Sequence, residues 1–176
     1  MTHSEEEFDI YDGEGTLLGQ APRSEVHRRG LWHKAVNVLL FSTDGRLYLQ
    51  RRAAGKDVWP NAWDVSVGEH LTPGESGLAG AARGLAEELG VHGVLLEPIG
   101  GQTQARVDIA ALNIHDHEFQ RSYRGTYDGP IVADPAEVAE VMLIDRDTLV
   151  RAIERAPENY TPWLRERLTS IGWTGV

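Results

Sequence analysis

The chain predicts an α/β fold, a sandwich of helices around a mixed β-sheet. Three observations carry that expectation. Short runs rich in Val, Ile, Leu and Tyr recur up to Ile144, separated by Asp-Gly and Gly-Gly turns as in hairpins. One stretch, GLAGAARGLAEELG, has helical periodicity and follows directly on a strand. Two further helical stretches close the chain. Hairpin strands combined with a few helices bury their apolar faces in that layered arrangement.

Taken in order, EEFDIYDGEGTLLGQAP reads as two short strands around an Asp-Gly-Glu-Gly turn. HKAVNVLLFS and RLYLQRR, joined by Thr-Asp-Gly, read as a β-hairpin of buried strands. WDVSV is a strand leading into the loop before the helix, and VHGVLLEPIGGQTQ is a strand running to a Gly-Gly break. RVDIAALNI and HEFQRSYRGTY suggest a second antiparallel pair, joined near His115 and Asp116. A strand is expected in the second half of DGPIVADPAEVAEVMLI. DRDTLVRAIERAPEN and TPWLRERLTSIG are helices, with Asp145 or Asp147 and Thr161 as N-caps. No repeat or long linker appears. The expected organisation is a single domain over 1–176, with a short N-terminal β extension (1–30) and C-terminal helices at about 146–170.

In the central helix Ser76 is the expected N-cap and Gly90 the left-handed residue past its end. Leu78, Ala81, Ala82, Leu85 and Leu89 form one apolar stripe. Glu87 and Glu88 point to the neighbouring face together with Gly77, Gly80 and Gly84. Each interior glycine costs roughly 1 kcal/mol relative to alanine. Close approach of a ligand or a neighbouring backbone is the expected compensation; tight packing of another element is the alternative for Gly77 and Gly80. The adjacent carboxylates are opposed by the helix macrodipole at that end, which suits a divalent cation held against a phosphate chain.

Composition narrows the function classes. A chain of 176 residues, 41% hydrophobic, can bury a real core. With no cysteine, thiol catalysis and disulfides are excluded, which agrees with a reducing cytoplasm, the expected location. The start, MTHSEEEFDI, is unlike a secretory signal, and AVNVLLF, the longest apolar run, is far short of a membrane span. A formal charge of −10 argues against nucleic-acid binding. It also means that an anionic substrate needs a local cationic patch and a metal. The expected partner is a small molecule. The chain leaves oligomeric state open.

Residues 68–91, GEHLTPGESGLAGAARGLAEELGV, resemble the Nudix box, G-x5-E-x7-R-E-U-x-E-E-x-G-U, where U is a bulky aliphatic residue. Glu75, Arg83, Leu85, Glu87, Glu88, Gly90 and Val91 fall in register, whereas the opening glycine is Glu69 and the glutamate after the arginine is Gly84. The resemblance covers roughly residues 30–155 and implies a Nudix-type α/β/α sandwich and hydrolysis of a phosphoanhydride. It implies Mg²⁺ as cofactor, with Mn²⁺ as the alternative, held by Glu87 and Glu88. Glu118, which matches the distal glutamate many Nudix proteins supply, is a further ligand. Arg83 would orient a carboxylate or a phosphate. In many Nudix hydrolases the glutamate at position 84 acts as base or ligand, which glycine cannot do. Glu69 is expected to replace it in part, as ligand or base, with Glu118 as the competing base. Restoring the side chain with Gly84→Glu is expected to raise activity.

A narrower resemblance joins GLWHKAVNVLLFSTDGRLYLQRRAAGKDVWPNAWDVSVGEH to the Nudix branch containing isopentenyl diphosphate isomerase. That branch uses a cysteine and a glutamate to move protons. Its cysteine falls on Gly68 here, and its glutamate pair maps to Glu118 and Gln120. The branch implies diphosphate binding by Arg52 and Lys56 of the RR-x3-K segment, with Arg51 as substitute if the register slips by one. It also implies a second metal centre at His27, His33 and His70, joined by Glu118. Of the aromatic residues, Trp59 and Trp63 are expected to pack the core, while Trp32, Tyr123, Tyr127 and Trp163 are free to stack on a base. The expected function is a metal-dependent pyrophosphohydrolase acting on a nucleoside di- or triphosphate or a similar small diphosphate. The alternatives are a diphosphate-binding or regulatory module that lost turnover with Gly84 and, remotely, the isomerase.

Overall fold

Ten consecutive residues of β3 (Trp32–Phe41) organise the sheet. The computed structural model describes residues 5–173, so the first four residues of the polar start lie outside it. In it β3 pairs in parallel with β8 (Ile114–Thr126), from Trp32 opposite His117 to Phe41 opposite Thr126. Its other edge takes β6 (Val67–His70) antiparallel, with Ala35 opposite His70 and Asn37 opposite Gly68. A strand covered on both faces reads as a continuous apolar run, which accounts for AVNVLLF.

β1 (Glu7–Tyr11) and β2 (Leu17–Pro22) form the expected N-terminal hairpin, its turn held by the Asp12 carboxylate accepting from the Glu14 and Thr16 amides. A helix that no sequence signal announced, α1 (Arg23–Arg29), follows and ends at Gly30 with φ +63°. β4 (Leu47–Arg52) does turn back from β3, but the two share only the Phe41–Leu47 pair. The expected hairpin opens at once because β6 and β8 hold the edges of β3. β4 pairs instead with β9 (Val138–Ile144) and with β5 (Trp63–Asp64).

β7 (Glu97–Ile109) and β8 make the second antiparallel pair, with a register shift between Ile99 and Thr103 at the Gly-Gly break. Their link is the 3-10 turn Ala110–Leu112 and Asn113. The join expected near His115 and Asp116 is therefore corrected: both residues stand within β8.

The two faces of β3 divide the interior. Val36, Val38 and Leu40 pack on Ala81, Leu85 and Leu89 of α2 (Gly77–Leu89). Leu39 and Phe41 face the other way, joining Leu49, Leu149, Ile153, Leu164 and Leu168 under α3 (Arg146–Arg155) and α4 (Pro162–Ser170). The result is the expected α/β/α layering. Ser76, Asp145 and Thr161 cap their helices by accepting from the amides of Ala79, Thr148 and Leu164.

α2 is rotated from its expected orientation. Leu78 is 52% exposed and Ala82 is exposed, whereas Gly80, Gly84 and Glu88 are buried with Ala81, Leu85 and Leu89. The glycine face is turned inward because side chains fill the space above it. A Cβ on Gly77 would lie 2.6 Å from the Tyr123 hydroxyl, one on Gly84 2.6 Å from Val67 Cγ1, and one on Gly80 would collide with Leu71. Tight side-chain packing accounts for these glycines. It also draws Glu88 into the interior.

Candidate functional site

The polar half of the β3 face opposite α2 builds the first centre. His33 lies beside Glu118 in the β3–β8 register, and His70 reaches the same face from β6. His27 comes from α1, and Asp116 shares the Glu118 face of β8 because strand side chains alternate. One ligand atom from each of His27, His33, His70 and Asp116 lies within 4.8 Å of the others. Glu118 Oε1 is 3.1 Å from His70 Nε2 and 3.9 Å from His33 Nε2. Phe8 seats the cluster, stacked on His33 at 5.2 Å and 11° and close to His70 at 4.8 Å.

Burial holds the His70 imidazole well below its usual pKa and lowers that of His27. Burial also works against a charged His33, but Asp116, Glu118 and the Leu31 carbonyl outweigh it, and its pKa rises. Nε2 of His27, Nε2 of His33 and Oδ1 of Asp116 are buried without a hydrogen-bond partner, although the last two are only 3.3 Å apart. Imidazoles, carboxylates and buried polar atoms without partners converging on one point fit a divalent cation. Asp116, which the sequence places only near a strand join, belongs to the cluster without having been a site candidate. The alternation in His-Asp-His-Glu was the available signal. Gln120, expected as the second of a glutamate pair, does not join the cluster; its amide donates to Glu118.

The second centre is the box itself. Arg83 donates from Nε and Nη2 to Glu75 (3.0 and 2.9 Å), from Nη2 to the His70 carbonyl (2.8 Å) and from Nη1 to Glu87 (3.1 Å). Its Nη1 is also 3.3 Å from Glu69. Arg83 therefore contacts three box carboxylates, Glu69, Glu75 and Glu87. Glu87 and Glu88 do not face a common point. Glu87 is largely exposed beside Arg83, whereas Glu88 is buried and accepts from the Gln50 amide at 2.8 Å. Burial, reinforced by Glu69, pushes the Glu88 pKa up to about 8, while Gln50 and Lys56 oppose the shift. Burial likewise raises that of Glu69, against the pull of Arg83. The inward-facing carboxylates are thus Glu69 and Glu88. Glu69 fills the space vacated at position 84, its Cβ lying 3.2 Å from where a Cβ on Gly84 would be.

The expected phosphate cations separate. Arg52 lines a cavity of about 480 Å³ together with Glu69, His70, Asp116 and Glu118. It is held by Asp64 at 3.0 Å and by the Val58 carbonyl at 3.0 Å. Lys56 pairs with Glu137, and burial lowers its pKa while Glu88 opposes the shift. Arg51 is corrected as a substrate contact: strand alternation turns it to Glu140 on β9 at 3.0 Å, away from the cavity lining. Arg23, which the sequence did not single out, lines the cavity with Nη1 3.2 Å from His70 Nδ1. Trp163 also lines it, its indole donating to Asp64 at 2.5 Å and meeting Trp59 edge-on at 5.3 Å. Trp59, expected in the core, is on the cavity wall. Tyr123 and Trp32, expected as stacking candidates, are buried instead.

A helix bearing one inward carboxylate, Glu88, packed on a mixed sheet whose other face carries a histidine- and carboxylate-lined cavity, is the arrangement of a NUDIX-type protein. The NUDIX domain model matches residues 31–166, and the chain belongs to that family. Among its relatives, the isopentenyl-diphosphate Delta-isomerase of Nocardia farcinica is 42% identical over 162 residues, covering 91% of each chain. One from Cereibacter sphaeroides is 38% identical over 143 residues, 80% of this chain and 79% of that one. The crystal structure of DR0079 from Deinococcus radiodurans superposes with a TM-score of 0.74 at 24% identity, covering 93% of this chain and 98% of that one. The fold is also that of a C. elegans Ap4A hydrolase, with a TM-score of 0.55, 14% identity and coverage of 79% and 94%.

Proposed function

We propose that the protein is a metal-dependent pyrophosphohydrolase that cleaves a phosphoanhydride in a nucleoside di- or triphosphate or a similar small organic diphosphate. The observation that carries this reading is the inward pair of Glu69 and Glu88, the first occupying the room left by Gly84. Glu69 adds to the burial that disfavours a charged Glu88, an opposition that a cation held by the two carboxylates would relieve. Mg²⁺ or Mn²⁺ would be held by Glu88 and Glu69, and a second divalent ion by His27, His33, His70, Asp116 and Glu118. The bound metal supplies charge neutralisation of the phosphates and a lowered pKa for water.

The protein's own groups divide the remaining work. Glu118 is committed to the histidines and to Gln120, so the base in this reading is Glu69, the same carboxylate that would help hold the metal and that pairs with Arg83. Arg83 holds Glu69 and the His70 carbonyl, so it positions the base. Arg52 and Arg23 present guanidinium groups to the cavity for phosphate oxygens. Lys56 adds positive charge behind Glu88.

The relatives' name favours a second reading, double-bond isomerisation of isopentenyl diphosphate. Against it, Gly68 stands where that branch has its cysteine, and the chain contains none. A Cβ there would make only ordinary contacts, 3.7 Å to Asn37 Oδ1, so packing does not dictate the loss.

Product-resolved assays with Mg²⁺ and Mn²⁺ test the choice, using nucleoside di- and triphosphates, nucleotide sugars, dinucleoside polyphosphates and isopentenyl diphosphate. Hydrolysis that disappears in Glu69→Gln and Glu88→Gln is expected. Formation of an isomerised diphosphate would replace this reading, and binding without turnover would make the protein a binding module.

A further inference from the structure

His33 and His70 face the same centre in opposite tautomers. The Leu31 carbonyl lies 3.0 Å from His33 Nδ1 and can only accept, so that nitrogen carries the proton. In the neutral ring, Nε2 then presents its lone pair toward Asp116 and Glu118. His70 is held the other way round by two contacts. Arg23 Nη1 lies 3.2 Å from His70 Nδ1, and a guanidinium can only donate, so Nδ1 is the acceptor. Glu118 Oε1 lies 3.1 Å from His70 Nε2 and, as a carboxylate, accepts the Nε2 proton. His33 is thus arranged as a ligand, whereas His70 offers the centre an N–H.

From this we infer that Arg23 and a cation at the histidine centre exclude each other at His70, so that cation binding releases Arg23 to an anion in the cavity. The inference deepens the pyrophosphohydrolase reading and rests on it for Arg23 as a phosphate ligand. Ligation through Nε2, the nitrogen turned to Glu118, needs a lone pair there. The ring gives its Nε2 proton to solvent and takes one up at Nδ1, staying neutral. An Nδ1–H and an Arg23 N–H cannot share the 3.2 Å between them, because neither is an acceptor. Ligation through Nδ1 would remove the same lone pair, so Arg23 leaves in either case.

Arg23 has a second position available. It lines the cavity with Arg52, and the same Nη1 donates to Glu6 at 3.0 Å, which tethers the side chain beside the cavity when the His70 contact is lost. Coupling of this kind is reciprocal: an anion that draws Arg23 from His70 also makes room for the cation. The histidine centre then does more than hold charge. It sets whether one of the two cavity guanidinium groups is free to bind phosphate.

Two measurements test this. Two-bond proton–nitrogen NMR spectra of the histidine rings read the tautomer directly. His70 is expected to be protonated at Nε2 in the metal-free protein and at Nδ1 after one equivalent of Zn²⁺, an ion that imidazole ligands suit. Calorimetric titration with methylenediphosphonate, a diphosphate mimic that resists hydrolysis, then compares metal-free and zinc-loaded protein, each as wild type and as Arg23→Met. Attraction between zinc and the anion raises affinity in both proteins alike, and release of Arg23 adds to it in the wild type alone. The gain on zinc loading is expected to be about fivefold or more larger in the wild type than in the variant. Should Arg23→Met fail to fold, Arg23→Gln takes its place and the same comparison decides. Equal gains, a larger gain in the variant, no binding of the diphosphonate by either form, or a metal-free His70 already protonated at Nδ1 would overturn the inference. The tautomer change and the unequal gain in a protein that hydrolyses none of the assay substrates would remove the pyrophosphohydrolase reading alone.

Discussion

Glu69 and Gly84 are a complementary pair: the Cβ of the first lies 3.2 Å from the point where a side chain on the second would begin. A glutamate on β6 and a glycine on α2 occupy the room that the usual box pattern gives to the reverse arrangement.

Gly84→Glu alone is therefore expected to lower stability, and the gain in activity expected from the sequence is withdrawn. Its Cβ would meet Val67 Cγ1 at 2.6 Å, and Val67 is a fully buried, β-branched side chain that cannot swing aside. Overpacking of this kind costs about 1–3 kcal/mol. The double variant Glu69→Gly/Gly84→Glu should recover part of that loss. Denaturant unfolding of the two proteins compares them, and a single variant as stable as wild type would refute the packing argument.

Stability of the metal-free protein should fall as pH rises. The Glu88 pKa is about 8 in the folded chain against an ordinary 4.5. Between those values the unfolded chain has released a proton that the folded chain keeps, so unfolding is favoured progressively with increasing pH. The span is on the order of 5 kcal/mol, present in full below the unfolded value and lost by the time pH passes the folded one. Melting temperatures from pH 5 to 8.5 should show this slope, and Glu88→Gln should flatten it. Added Mg²⁺ should raise the melting temperature most at the alkaline end.

The histidine cluster should bind a transition metal without any substrate present. Titration with Mn²⁺ or Zn²⁺ is expected to raise the melting temperature, and a chelator to reverse the gain, by mass action on the folded state. Asp116→Asn should weaken that affinity by at least about tenfold. His115→Gln, outside the cluster, should leave it intact. Equal metal binding by wild type and Asp116→Asn would remove Asp116 from the site.

Phe8→Ala should damage the same centre from a distance. Phe8 is 2% exposed and stacked on His33, and truncating a buried phenylalanine costs roughly 3–5 kcal/mol. Phe8→Leu should retain much of the stability while still weakening metal binding, because Leu fills volume without a flat face for the imidazole. A metal affinity unchanged in Phe8→Leu would show that the ring only fills space.

How much of this was legible beforehand depends on the range of the interaction. Periodicity and turn residues located the strands, and local capping chemistry located Ser76, Asp145 and Thr161, because those signals act between near neighbours in the chain. The box register likewise marked Arg83 and Glu88. The chain alone did not disclose that β4 leaves β3 for β9 or that α2 turns its glycine face inward, whereas strand alternation already set Arg51 on the face opposite to Arg52. The first two depend on which edges and faces other segments occupy. Asp116 is the sharpest case: beside two histidines it resembles a polar turn, and only the β3–β8 register carries it to His33 and His27. Residue spacing thus determined the family, the layers and the box. Tertiary structure decided which carboxylates are drawn inward, since burial and electrostatic opposition exist only once distant strands have been brought together.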